Sequence, residues 1–295
     1  MRQPITTICA CLLIGGLSSA CKNFTPVDKF AGQTVAMTEV FKPMLTHSMS
    51  SCTNNVRRNS IITDRPYVAQ ETEQDLLRRC QDYAAQLAGT AELNDVLKRY
   101  AEVLSALAND KLANYKEEFG AMGGALGALQ QSGSMTPVLD AGQLDKVVRL
   151  STLISSIVTQ QRQQSGINEL LAREEDIYII GNALKKYAQQ NYQANLRDES
   201  LTLASLNRSL DTAAAREPVA SNYLKAKLYL DGRRLQERGK VIDAYVAAMT
   251  ELQNSLSTLR ATSLKDPALE RQLGTFAKHV DALRKEAASY SPSPW

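Results

Sequence analysis

The chain has 295 residues, with 34 Lys and Arg against 31 Asp and Glu, two His, and a net charge of +3. Both signs are interspersed, so no basic block points to nucleic acid and no acidic tail imitates it. His47 and His279 are too few for a His-based metal site, HExxH or a Ser-His-Asp arrangement, and neither Gly-x-Gly-x-x-Gly nor a phosphate-binding loop occurs. A composition rich in Ala, Leu, Gln, Lys, Arg and Glu favours helices, and no enzyme or cofactor chemistry is expected.

The chain opens with Arg2 in a small positive region, then an apolar stretch from Ile5 to Leu17 that is too short to remain as a spanning helix. Ser18, Ser19 and Ala20 follow. This is the layout of a secretory signal, so residues 1–20 are set apart from the fold. The run Leu17-Ser18-Ser19-Ala20-Cys21 resembles the lipobox of bacterial lipoproteins. The family usually places Leu three residues before the cysteine; here Leu17 stands four before it, and a wider form of the motif allows Ser18. The resemblance implies a diacylglyceryl group on Cys21, cleavage before it by signal peptidase II, and acylation of the new amine, commonly with palmitate. Residues 21–26 are then a lipidated tether. At ~0.8 kcal/mol per buried methylene, two or three acyl chains hold a protein on a membrane. By the same resemblance, Lys22 in place of Asp implies the outer membrane, facing the periplasm. The alternative is an ordinary secretory signal, since Ser18-Ser19-Ala20 also suits the general signal peptidase.

Five cysteines become three when Cys9 and Cys11 leave with the signal. Lipid on Cys21 leaves Cys52 and Cys80, an even pair for a compartment where disulfides form. A bridge between them closes a loop of 29 residues. The alternative is two buried free thiols.

The rest of the chain reads as helix, taken as a single domain over 27–290. A first helix is predicted over 27–57 from Phe30, Met37 and Met44, with a kink at Pro43 and a polar loop from Arg57 to Pro66. A second is predicted over 67–88, ending at Gly89. Thr90 then caps a third, whose Leu93, Leu97, Tyr100, Leu104 and Leu107 fall at spacings of four and three. The stripe resumes with Val147, Leu150, Ile154 and Ile157, breaks at the Gln-rich 159–164 stretch, and returns with Ile177, Ile180, Leu184 and Tyr187. Helix is predicted to persist to about Ala215, with a break at Glu217-Pro218.

Ile242, Tyr245, Met249, Leu252, Leu256 and Leu259 make the cleanest pattern. Asp266-Pro267 is a helix start, and Leu269, Leu273, Phe276, Val280 and Leu283 form the last stripe. Residues 291–295 read as a disordered tail. No strand alternation and no long repeat is found. The fold class is therefore all-α: an elongated antiparallel helical bundle with coiled-coil-like packing.

Residues 119–139 are uncharged, and Gly120 and Gly124, like Gly123 and Gly127, sit four apart. With Phe119 they mark a candidate interaction tip, either a tight hairpin contact or a surface that docks a protein or a bilayer. The acidic runs Glu117-Glu118 and Glu174-Glu175-Asp176 point neighbouring carboxylates about 100° apart and do not converge as acid/base pairs. The function expected is a membrane-anchored, non-enzymatic structural or adaptor lipoprotein of the cell envelope with a protein partner. The alternatives are a membrane-active or pore-forming helical protein, or a lipid- or peptidoglycan-binding module.

Overall fold

The computed structural model describes residues 24–62, 67–111, 138–160 and 163–289. Those residues are all-α. In chain order they form α1 (Thr25–Ile62), α2 (Ala69–Ala108), α3 (Ala141–Gln160), α4 (Gln163–Leu171) and α5 (Glu174–Lys186). A π-helical turn (Tyr187–Tyr192) leads into α6 (Gln193–Ala213), and α7 (Pro218–Ala261) and α8 (Pro267–Ser289) complete the chain.

The apolar residues of each predicted stripe go inward. Leu93, Leu97, Tyr100, Leu104 and Leu107 are buried, as are Ile242, Tyr245, Met249, Leu252, Leu256 and Leu259. One core cluster draws residues from every helix, from Val27 in α1 to Leu283 in α8. Each fully buried large side chain is worth about 1.5–3 kcal/mol, so these stripes supply most of the cohesion.

Cross-helix pairs give the directions. Along α1 and α2, Asp28 meets Ser105, Thr38 meets Asn94, Ser48 meets Tyr83 and Arg57 meets Glu73, a falling series that makes the two antiparallel. Helix α7 is also antiparallel to α1, since Ser51 meets Arg238 and Arg58 meets Asp231. The α5–α6 arm runs parallel to α1, with Ser48 on Tyr187 and Asn55 on Thr202. Helix α8 folds back on α7, where Gln272 Nε2 donates to Glu251 at 2.8 Å. Helices α3 and α4 cover one end of the body: Lys146 pairs with Glu175, and the Tyr100 hydroxyl donates to the Leu170 carbonyl. At 1.5 Å per residue, α2 (40 residues) and α7 (44 residues) are each about 60–66 Å long.

Three local readings are corrected. Helix α1 runs through Pro43 and continues to Ile62, so residues 57–62 are not loop. Arg57 and Arg58 hold that polar last turn by ion pairs to Glu73, Glu199 and Asp231. Gly89 ends nothing and Thr90 caps nothing; α2 passes straight through them. Thr90 Oγ1 instead donates to the Gln86 carbonyl one turn back, at 2.8 Å. The roughly 1 kcal/mol that an interior glycine costs is outweighed by burying Tyr83, Leu93 and Leu97 on one continuous face. Two other expected boundaries stand. Pro218 opens α7, and Asp266 Oδ1 caps α8 by accepting from the Ala268 amide at 2.8 Å.

Cys52 and Cys80 are joined by a disulfide between α1 and α2, with Cα atoms 6.2 Å apart. It sits in a small apolar cluster with Val56 and Leu76, and Cys52 also packs against the main core. Replacing both cysteines by serine should lower stability by about 3–4 kcal/mol, the loop-closure entropy of the cross-linked unfolded chain. Urea unfolding of both proteins, with and without reductant, checks this. The double variant should be insensitive to reductant.

Candidate functional site

Of the residues singled out from sequence, Cys21 and the tip residues Phe119, Gly120, Gly123, Gly124 and Gly127 lie outside the described residues. So does Glu117-Glu118. The second acidic run diverges: Glu174 pairs with Arg260 of α7 at 2.6 Å, while Glu175 pairs with Lys146 of α3 at 2.5 Å. Asp176 turns inward, and burial raises its carboxyl above the usual range.

A polar seam sits where α1, α6 and α7 meet. Glu199 of α6 is 1 % exposed and carries the charge at its centre. Arg58 of α1 and Asn54 donate to its Oε1, and Arg238 of α7 stands 3.6 Å from its Oε2. Arg58 also donates to Asp231 at 2.8 Å, and Arg238 to Ser51 Oγ at 3.1 Å. Buried pairs of this kind gain little net stability over apolar packing, but removing one partner strands a charge. The seam therefore sets the register of three helices.

Ser48, Tyr83 and Tyr187 form a second buried knot, their hydroxyls joined in a ring that ties α1 to α2 and to the π-helical turn. Burial pushes both tyrosine hydroxyls upward, so they remain neutral donors rather than bases. A π turn inserts one extra residue into a helix, a device often found at functional positions. Here it lets Tyr187, Ala188, Asn191 and Tyr192 all face inward. A third knot surrounds Gln253 of α7. Its side chain accepts from Lys185 at 2.7 Å and donates to the Tyr178 carbonyl and to Asn182. Gly181 makes room for it, because a Cβ there would stand 2.8 Å from Gln253 Nε2.

Beside the seam, Val40, Pro43, Met44, His47, Arg238, Val241 and Ala287 line a cavity of about 30 Å³, the space of a single water. Desolvation, and then the Arg238 charge, lower the His47 pKa from 6.5 to about 4. Among the described residues, no group of His, Cys, Asp and Glu is placed to hold a metal ion. No helix among them is long and apolar enough to cross a membrane.

The far end of the molecule is different in kind. Between Leu203 and Leu235 only Ser221 is buried. This α6–α7 hairpin projects nine residues, about 13 Å, beyond the level of Ile62, reckoned from the Arg58–Asp231 pair. Val219, Tyr223, Tyr229 and Leu230 of α7 are exposed there, and Ile61, Tyr67 and Val68 are exposed at the neighbouring end of α1 and α2. Sequence reasoning passed over this surface, because Val219, Tyr223 and Leu230 repeat at the same spacing as a core stripe. No family model, no curated protein and no solved structure matches the chain.

Glu199→Ala should cost about 3–5 kcal/mol, because the buried carboxylate that Arg58 and Arg238 share is removed, although Arg58 retains Asp231. Thermal melts of the variant measure it, and a surface control such as Glu270→Ala should shift the melt little. His47 gives a pH dependence whose sign follows from its lowered pKa. The unfolded chain takes up this proton near 6.5 and the folded chain only near 4. Its contribution is therefore complete above about 6.5 and is lost as the pH falls towards 4. Urea midpoints at the two ends of that window should differ less in His47→Gln than in the parent.

Proposed function

We propose that the protein is a lipid-anchored component of the bacterial cell envelope that acts as a rigid, non-enzymatic spacer or adaptor. The observation that carries the reading is the polarity of the bundle. Helix α1 starts at one end, beside the start of α8, as the pair Lys29–Glu270 marks, and the end of α7 lies there too, held to the start of α5 by Arg260–Glu174. The exposed apolar hairpin lies at the other end, about 65–70 Å away along the helices. An acylated Cys21 sits four residues before Thr25, so lipid and hairpin fall at opposite poles. The internal knots have the makings of a stiff rod, since each spans helices along its length and consists of paired polar groups.

Further support comes from Cys52–Cys80, which suits an oxidising compartment outside the cytosol. In this reading the periplasmic face of an outer membrane receives the lipid, and a protein contact forms at the distant hairpin.

Full-length protein should partition into the membrane fraction, and its first mature peptide should carry the mass of a diacylglyceryl cysteine with an acylated amine. Cys21→Ala should leave the membrane fraction. An unmodified amino terminus on protein washed free of membranes sinks the proposal.

A further inference from the structure

Beyond Leu235, α7 carries a second apolar stripe on the face turned away from its own bundle. Val219, Tyr223, Ala226 and Leu230 follow at spacings of four, three and four, the seven-residue repeat of a two-helix seam. Val219 is 83 % exposed, Tyr223 70 % and Leu230 49 %, and Tyr229 on the flank is 67 % exposed. The opposite face makes the internal contacts: Ser221 is buried, Asp231 reaches Arg58, and Lys225 reaches Asp211 of α6. The stripe is thus not the edge of the core but a separate seam without an occupant among the described residues.

We propose that this stripe is the interface between two copies of the protein, packed antiparallel along α7 about a two-fold axis between Leu224 and Lys225. The pattern is complementary to itself only in that sense. Antiparallel, Val219 meets Leu230 of the second copy and Tyr223 meets its Ala226, so each large ring faces a methyl group. Parallel, Tyr223 meets Tyr223 and Ala226 meets Ala226, one layer too wide and the next empty. The flanks agree. Ala220 falls opposite Lys227 of the second copy and Asn222 opposite its Tyr229, so no like charges meet. The repeat stops being apolar at Arg233 and Glu237, which pair within their own helix at 4.0 Å and lie outside the overlap.

Side chains of this size present on the order of 150–220 Å² each, so the exposed fractions leave roughly 500 Å² per copy. About 1,000 Å² for the pair is at the threshold for a specific interface, the size class of weak and transient contacts. The seam is confined to residues 219–230 of α7, so the two bodies point in opposite directions and their first helices begin at opposite poles. The inference stands apart from the spacer reading: with amino termini at opposite poles, paired copies lie along a membrane face rather than stand on it, and self-association and lipid attachment are measured separately.

Two measurements on the full-length chain test it. In sedimentation equilibrium up to roughly 100 µM, the parent should be a monomer–dimer mixture. Tyr223→Ala and Ala226→Tyr should each weaken the dimer about tenfold or more, and the two together should restore it to within about threefold. In oxidative cross-linking, Val219→Cys with Leu230→Cys should give a covalent dimer, whereas each alone should not. Far-UV circular dichroism confirms that the variants are folded, as their exposure leads one to expect. A monomer throughout the range, cross-linking of Val219→Cys to itself, or a monomer that binds anionic lipid vesicles through Tyr223 overturns the proposal.

Discussion

The packing of α2, α6, α7 and α8 around α1 is the constraint to which the other features answer. Helix α1 buries Val27, Phe30, Met37, Phe41, Met44 and Leu45 along roughly its first half, and Val56 further on. At about 1.5–3 kcal/mol for each large side chain, these contacts outweigh any single polar interaction in the molecule. They also explain why the neighbours are long. A helix that covers only part of α1 leaves part of that face wet. Aromatic rings fill the middle, where Phe41 lies 4.8 Å from Tyr245 and 6.1 Å from Tyr187, centroid to centroid.

Apolar stripes hold helices together without fixing their registry, because a slide by one heptad presents a similar face. The buried polar groups remove that freedom. Glu199 has its guanidinium partners at one height only, the Ser48, Tyr83 and Tyr187 hydroxyls meet at another, and Gln253 is matched to Tyr178, Asn182 and Lys185 at a third. A slipped alignment leaves each of them desolvated and unpaired, at a cost of about 1–3 kcal/mol per neutral group and more for the charges. Polar burial here acts as an alignment device whose penalty falls on the wrong arrangements.

What was legible in the sequence, and what was not, divides along the same line. Leu93 through Leu107 and Ile242 through Leu259 announce themselves because a spacing of three and four is set by the helix itself. Gly89 and Thr90 misled, because a local stop signal carries about 1 kcal/mol and a continuous buried face carries several. Arg57 and Arg58 read as loop because the stretch is mostly polar, yet their partners Glu73, Glu199 and Asp231 stand 16 to 173 residues further on. Distant polar matches leave no periodic trace. Nor does the π turn at Tyr187–Tyr192, whose extra residue is visible only once the inward side chains are known. The outward stripe of α7 was missed for the opposite reason: periodicity reports that a face is apolar, and is silent about what lies against it.

Helix α7 belongs to two mechanical worlds at once. Its second half is clamped between α1 and α8, whereas its first nine residues rise past Ile62 with α6 beside them. Gly232 and Gly239 lie between the two parts, and at neither would a Cβ touch anything within 4 Å, so close packing is not why they are there. Each loosens the backbone by about 1 kcal/mol relative to alanine. A lateral load on the hairpin therefore concentrates its bending at this joint, and the clamped half below it is spared, much as a scored stem gives way above the soil.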